Sequence, residues 1–123
     1  MAGCLRNASA VGKVALAIGP PIAVIAAGER WRIDGSLRPS FEDMVGAGAI
    51  LNELQSLKLS PEATAAAIVF RQSRHNLQRL LLECSSGREL SRKGFSDDVV
   101  WSAQLDASAT VPQLYDGAFV AKL

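Results

Sequence analysis

The sequence predicts a helix-rich α/β fold with few strands, one partial domain over residues 1-123. Most large apolar residues recur at helical spacing. One run, IAVIAA (22–27), is short, continuous and partly β-branched, as a buried, parallel strand is. Such a strand needs ladder partners for its backbone groups, and the remaining chain offers few candidates. The expectation is therefore that partner strands come from a missing N-terminal half or from another copy of the chain.

Bulk properties narrow the function. The formal charge is +1, so the field of the molecule selects neither nucleic acid nor an anionic membrane. Hydrophobic residues make up 49 % of the chain, a globular composition. The longest apolar stretch, VGKVALAIGPPIAVIAAG, is broken by Lys13 and by Pro20-Pro21, which argues against a membrane span. No basic region followed by a greasy core and cleavage site opens the chain, and the cytoplasm is the expected location. Two cysteines, Cys4 and Cys84, make neither a disulfide framework nor a metal-binding pair. AGCLRNASAV runs directly into a helical pattern, as the start of a fragment would.

The elements follow in order. Asn7 or Ser9 caps a first helix whose apolar face is Val11, Val14, Ala15 and Ile18. Gly19-Pro20-Pro21 ends it, and the apolar strand ends at Gly28. GERWRIDGSLRPS (28–40) is a long, arginine-rich loop around an Asp34-Gly35 turn signal. Ser40 caps a second helix, roughly 41–57, and Ser60-Pro61 opens a third that reads as continuous to about Cys84. Ser85-Ser86-Gly87 reads as a stop, and 88–93 as one or two further turns. Ser96-Asp97-Asp98 caps a helix through Val99, Val100, Ala103 and Leu105. ATVPQLYDGAFVAKL reads as two extended pieces around Asp116-Gly117.

Several residues carry candidate chemistry. Glu42 and Asp43 have two readings. As structure, Asp43 sits at the third helical position and returns a hydrogen bond to Ser40, while both acids meet the positive end of the helix dipole. As function, the pair follows a strand end and a loop bearing Arg30, Arg32 and Arg38, where carboxylates suit Mg²⁺ and arginines suit phosphate or sulfonate oxygens. Asn7, beside Arg6 and Ser9, reads as a cap or as part of an anion site. Asp97 and Asp98 read as another acidic helix start. His75 lies among Arg71, Arg74 and Arg79 without cysteine or a second histidine at ligand spacing, so a solvated basic face explains it better than zinc. Cys4 is a nucleophile candidate without a nearby histidine partner.

CLRNASAV (4–11), VIAAGERW (24–31), SLRPSFEDMVGAGAIL (36–51), the SSGREL…GFSDDV run (85–99) and LDASATVPQLYDGAF (105–119) together resemble the C-terminal half of the 2-phosphosulfolactate phosphatase family. The resemblance covers essentially the whole chain. It implies a Mg²⁺-dependent phosphatase acting on a small phosphorylated, sulfonated acid, known from coenzyme M biosynthesis. The implied fold is a three-layer α/β sandwich on a mixed sheet. Asn7, Glu29, Arg38 and Asp98 match family motif positions as substrate-binding residues, and Glu42 and Asp43 as metal ligands. Family members also carry an N-terminal half, with an aspartate- and arginine-containing strand end and a Thr-Asn-Gly-Thr loop, absent from this sequence. A homo-oligomer or that missing half is accordingly the expected partner. The alternative is a non-catalytic α/β module that binds a small anion or a partner chain.

Overall fold

In the computed structural model, which describes residues 1–121, six helices dominate and four short strands form two separate antiparallel pairs. A 3₁₀ turn at Leu5–Asn7 leads into α1 (Ala8–Ile18). Strands β1 (Glu29–Arg30) and β2 (Leu37–Arg38) pair across the turn at Asp34-Gly35. Helices α2 (Phe41–Glu53), α3 (Pro61–Ser73), α4 (Leu77–Glu83), α5 (Ser85–Arg92) and α6 (Ser96–Ser102) follow. Strands β3 (Pro112–Tyr115) and β4 (Ala118–Ala121) close the described chain. Lys122 and Leu123, the end of the second expected extended piece, lie outside the described residues.

Helix α2 is the centre of the molecule. It packs most extensively on α3 and next on α1. Val45, Ala49 and Ile50 meet Leu5, Val11 and Phe70 in the larger core cluster, which continues through Leu77, Leu81, Val99 and Val111. Leu51 and Leu54 join Ala15 and Ala67 in a smaller one. Helix α1 buries Ala8, Val11, Gly12 and Ala15, one stripe at helical spacing. Ile18, expected on that face, is 70 % exposed, because α2 lies along the stripe beginning at Ala8.

Neither expected residue caps α1 through its own side chain. The carboxylate of Asp106, from the segment after α6, accepts from the Ser9 N–H at 2.7 Å and from the Ser9 hydroxyl at 2.6 Å. Backbone bonds from Asp106 N to Leu5 O and from Ser108 N to Arg6 O hold that segment alongside. Asp106 adopts φ +53°, where asparagine is tolerated and alanine is strained. Asp106→Ala is therefore expected to destabilise the protein by about 2 kcal/mol, combining cap loss with left-handed strain. Asp106→Asn is expected to cost less than half as much in a denaturant titration, and equal losses would refute the remote cap.

Three further expectations are corrected. Residues 22–27 form no strand and are neither buried nor paired: Ile22 and Val24 lean on the core while Ile25 is 87 % exposed. Among the described residues no strand lies beside them to complete a ladder. The long third helix is broken after Ser73, and α4 turns away from α2 to pack on α5 and α6. A helix does end near Cys84 as expected, with α4 closing at Glu83, but Ser85-Ser86-Gly87 is not a loop: it begins α5, with Cys84 as the extended residue between the two helices. Gly87 is there for close approach, since a Cβ at that position would strike the Leu81 carbonyl. The two Asp-Gly turns do form as expected. Asp116 and Gly117 have φ +48° and +78°, the two positive values that a two-residue hairpin of matched twist requires.

Candidate functional site

The second helix starts differently from the capping box expected of it. Ser40 is extended, but its side chain receives no hydrogen bond from the first turn; its hydroxyl instead donates to Arg38 O at 3.4 Å. Asp43 reaches outward, and its Oδ2 accepts from the Gly28 N–H at 2.9 Å. That bond fixes the end of the apolar segment at the point where β1 begins. Gly28 has φ +72°, which favours glycine, and a Cβ there would also crowd the Arg38 carbonyl oxygen at 3.1 Å. Asp43 is thus tied to the backbone by one carboxylate oxygen, because the segment that needs an acceptor passes directly over the start of α2.

Glu42 makes no ion pair among the described residues. Its carboxylate meets Cys84, whose Sγ lies 3.6 Å from Glu42 Oε2 and 3.1 Å from Leu81 O. Burial pushes the Cys84 thiol pKa above its ordinary value, and the Glu42 charge adds to the rise. The thiol is therefore neutral and can donate to either oxygen.

Glu42 stands where two cavities meet. A cavity of about 350 Å³ is lined by Cys4, the 22–27 segment, Glu42, Asp43 and Gly46. A larger open cleft of about 1010 Å³ lies between the β1–β2 hairpin and α5. Its walls carry Arg30, Arg32, Arg38, Arg88, Arg92 and Lys93 against Glu29, Glu42 and Glu89. Arg38 is the least exposed of the ion-paired arginines, with 16 % of its side chain accessible. Its guanidinium lies over the Trp31 ring at 5.4 Å, donates to Ser86 Oγ at 3.4 Å and approaches Glu89 at 3.8 Å. Arg38 Nε is buried and has no hydrogen-bond partner among the described residues. Glu89 also accepts from Arg32 and Lys93, each at 2.9 Å. The Lys93 ammonium, then Arg32 and Arg38, hold the Glu89 carboxyl below the usual carboxylate range.

The structure thus gathers Glu29, Arg38 and Glu42 at the cleft and places Asp43 in the adjoining cavity. Asn7 and Asp98 line neither cavity. Asn7 is buried, where its Oδ1 accepts from Cys4 N at 2.8 Å and its amide donates to Thr110 O at 2.9 Å and Ala2 O at 3.4 Å. It ties the chain start to the segment before β3. Asp98 is exposed on the first turn of α6. Cys4 lines the smaller cavity without a histidine, since His75 is bonded to Arg74 elsewhere. The cleft residues that sequence reasoning missed are Ser86, Arg88 and Glu89. Their signal was the SSGREL segment, whose Ser85-Ser86-Gly87 reads as a helix stop and whose remainder reads as one or two further turns.

Mg²⁺ takes six oxygens, typically one or two carboxylates with waters and substrate phosphate completing the shell. Among the described residues no group of three or more histidine, cysteine and acidic side chains gathers in metal-binding proximity. The unpaired carboxylate of Glu42 and the second oxygen of Asp43 fit the smaller, protein-supplied share of such a shell. No helix of the described chain is long and apolar enough to cross a membrane.

The family model for 2-phosphosulpholactate phosphatase matches residues 1–117. A protein of Pseudothermotoga lettingae named as a probable 2-phosphosulfolactate phosphatase is 31 % identical over 100 residues, 80 % of this chain and 42 % of that protein. One from Symbiobacterium thermophilum, of the same name, is 31 % identical over 120 residues, 94 % of this chain and 49 % of its own length. A third, from Deinococcus radiodurans, is 31 % identical over 116 residues, 92 % of this chain and 46 % of its own. The chain spans less than half the length of these relatives. With nearly every described element inside the match, the chain belongs to the 2-phosphosulpholactate phosphatase family.

Proposed function

We propose that this chain contributes the metal and phosphate half-site of a cytoplasmic Mg²⁺-dependent phosphatase acting on 2-phosphosulfolactate or a similar small phosphorylated acid. The observation that carries the reading is the position of Glu42, a carboxylate that makes no ion pair among the described residues, at the junction of an arginine-walled cleft and a largely apolar cavity whose only acids are Glu42 and Asp43. Glu42 and Asp43 would hold Mg²⁺, which when bound supplies Lewis-acid stabilisation of phosphoryl charge. Arg38 neutralises and orients the phosphate through a guanidinium already braced by Trp31, and Ser86 offers a hydroxyl beside it. Phosphoryl transfer needs mainly such positioning and charge stabilisation, because its transition state is loose and highly anionic. The neutral Cys84 thiol lies within reach of one Glu42 oxygen and leaves the other open. The exposed 22–27 segment is the natural place for a further strand, from an N-terminal half or a second copy, to cover the smaller cavity.

The test is phosphate release from 2-phosphosulfolactate with Mg²⁺ and with EDTA, by this chain alone and joined to the N-terminal half of a relative. Mg²⁺-dependent release by the joined protein is the expected result. Anion binding with no release in either form would instead establish the non-catalytic module.

A further inference from the structure

The hairpin of β3 and β4 packs chiefly on itself. Leu114, Tyr115, Phe119 and Val120 are all exposed on it. Leu114 stands opposite Phe119 in the register, so these two share one face. A lone two-stranded hairpin is marginal in water, and further strands are what stabilise one. Natural edge strands are guarded by charge, proline or a bulge. Ala118–Ala121 carries none of these.

The two edges of the hairpin differ. A two-residue turn makes its flanking pair, Tyr115 and Ala118, the hydrogen-bonded one, and the pairs alternate from there. Pro112, with no N–H to give, accordingly falls at a non-bonded position, and its carbonyl accepts from the Ala2 N–H at 2.9 Å. The chain start thus covers the β3 edge at Pro112. On β4 the same alternation turns the backbone N–H and C=O of Phe119 and of Ala121 outward. Among the described residues no backbone group of another segment bonds to them.

We propose that β4 pairs antiparallel with β4 of a second copy about a two-fold axis at Phe119, so that two hairpins make one four-stranded sheet. In this register each Phe119 exchanges both ladder bonds with its counterpart, and each Ala121 N–H donates to the partner's Gly117 carbonyl. The two Phe119 rings meet across the axis, beside Leu114 of each copy. Asp116 and Lys122 bound the stretch in sequence, so the same register sets an acid opposite a base at both ends. A parallel copy would align like charges instead. The contact is isologous and closes at two copies, because the chain start blocks the β3 edge from taking a third.

Sedimentation equilibrium of the whole chain is expected to give twice the mass of one chain. Residue-resolved amide exchange is expected to slow at Phe119 and Ala121 by at least about tenfold between dilute and concentrated protein. Phe119→Pro removes an outward N–H and no β3–β4 bond, so it is expected to give single chains with unchanged helical circular dichroism. Phe119→Lys keeps every backbone bond but sets like charges on the axis, and it is expected to weaken the dimer by at least about tenfold. Ile25→Gln, on the other exposed apolar segment, is expected to leave the dimer intact. Single chains up to about 1 mM would overturn the proposal. So would a dimer that survives Phe119→Lys, one lost in Ile25→Gln, one with a fast-exchanging Phe119 amide, or growth beyond two copies. Joined to the N-terminal half of a relative, the protein is expected to remain a dimer. A single joined chain with a slowed Phe119 amide would give the edge to that half instead.

Discussion

Gly48→Val is expected to unfold most of the protein near its normal working temperature. A Cβ at Gly48 would sit 2.8 Å from the Ala66 carbonyl carbon and 2.9 Å from Phe70 Cβ, with the Ala66 oxygen closer still. Two of those atoms are backbone, so no rotamer change relieves the contact. Helix α2 would have to lift from α3, its most extensive partner, and expose Val45, Ala49 and Phe70. Overpacking typically costs about 1–3 kcal/mol. Valine, which adds two further methyl groups, should exceed that, a large share of the about 5–15 kcal/mol that holds a domain together. Gly46 provides the contrast two residues away. A Cβ there would have only Leu5 N nearby, at 3.9 Å, so Gly46→Ala should be neutral or stabilise by roughly 0.5–1 kcal/mol. Thermal unfolding followed by circular dichroism separates the two. Similar melting temperatures for the two variants would mean that α2 and α3 do not meet at Gly48.

Glu42→Gln should remove Mg²⁺ binding while leaving the fold intact. Glu42 makes no ion pair, and the amide keeps an oxygen toward Cys84, so little stability depends on its charge. Losing a direct carboxylate ligand is expected to weaken Mg²⁺ by more than the about 10–100-fold that outer-shell partners are worth. Asp43→Ala should behave differently. It strands the Gly28 N–H, which Asp43 accepts at 2.9 Å, and should cost about 1–3 kcal/mol in stability along with metal affinity. Asp43→Asn keeps an acceptor for Gly28 and should recover most of the stability but not the metal. Calorimetric Mg²⁺ titration beside chemical denaturation of each variant checks the pair. Undiminished Mg²⁺ affinity in Glu42→Gln would rule out Glu42 as a ligand.

Those two acids show what was legible. Side by side in sequence, they read equally as caps or ligands. The spatial neighbours that separate them are Gly28, 15 residues from Asp43, and Cys84, 42 residues from Glu42. Ser40 lost its expected reciprocal bond because a better-placed donor, the Gly28 N–H, competed for Asp43. Asn7 matched a motif, yet its amide is spent on backbone groups up to 103 residues away. Ser85-Ser86-Gly87 marks a true helix end at Glu83, yet Gly87 lies inside the next helix, where its missing side chain admits the Leu81 carbonyl.

By itself the sequence determined the helix-rich class, the α2 and α3 starts, the turns at Asp34-Gly35 and Asp116-Gly117, and the family. Each of these follows from periodicity, turn chemistry or motif order along the chain. Only the tertiary structure decided where the long third helix breaks and that the 22–27 segment stays unpaired. It also decided that Asp106 caps α1 across 97 residues and that Glu42, not Asp43, stands at the meeting of two cavities. The reason is common to all four. A hydrogen-bonding group takes the partner that packing brings within reach, and packing joins residues whose separation in sequence carries no local signal.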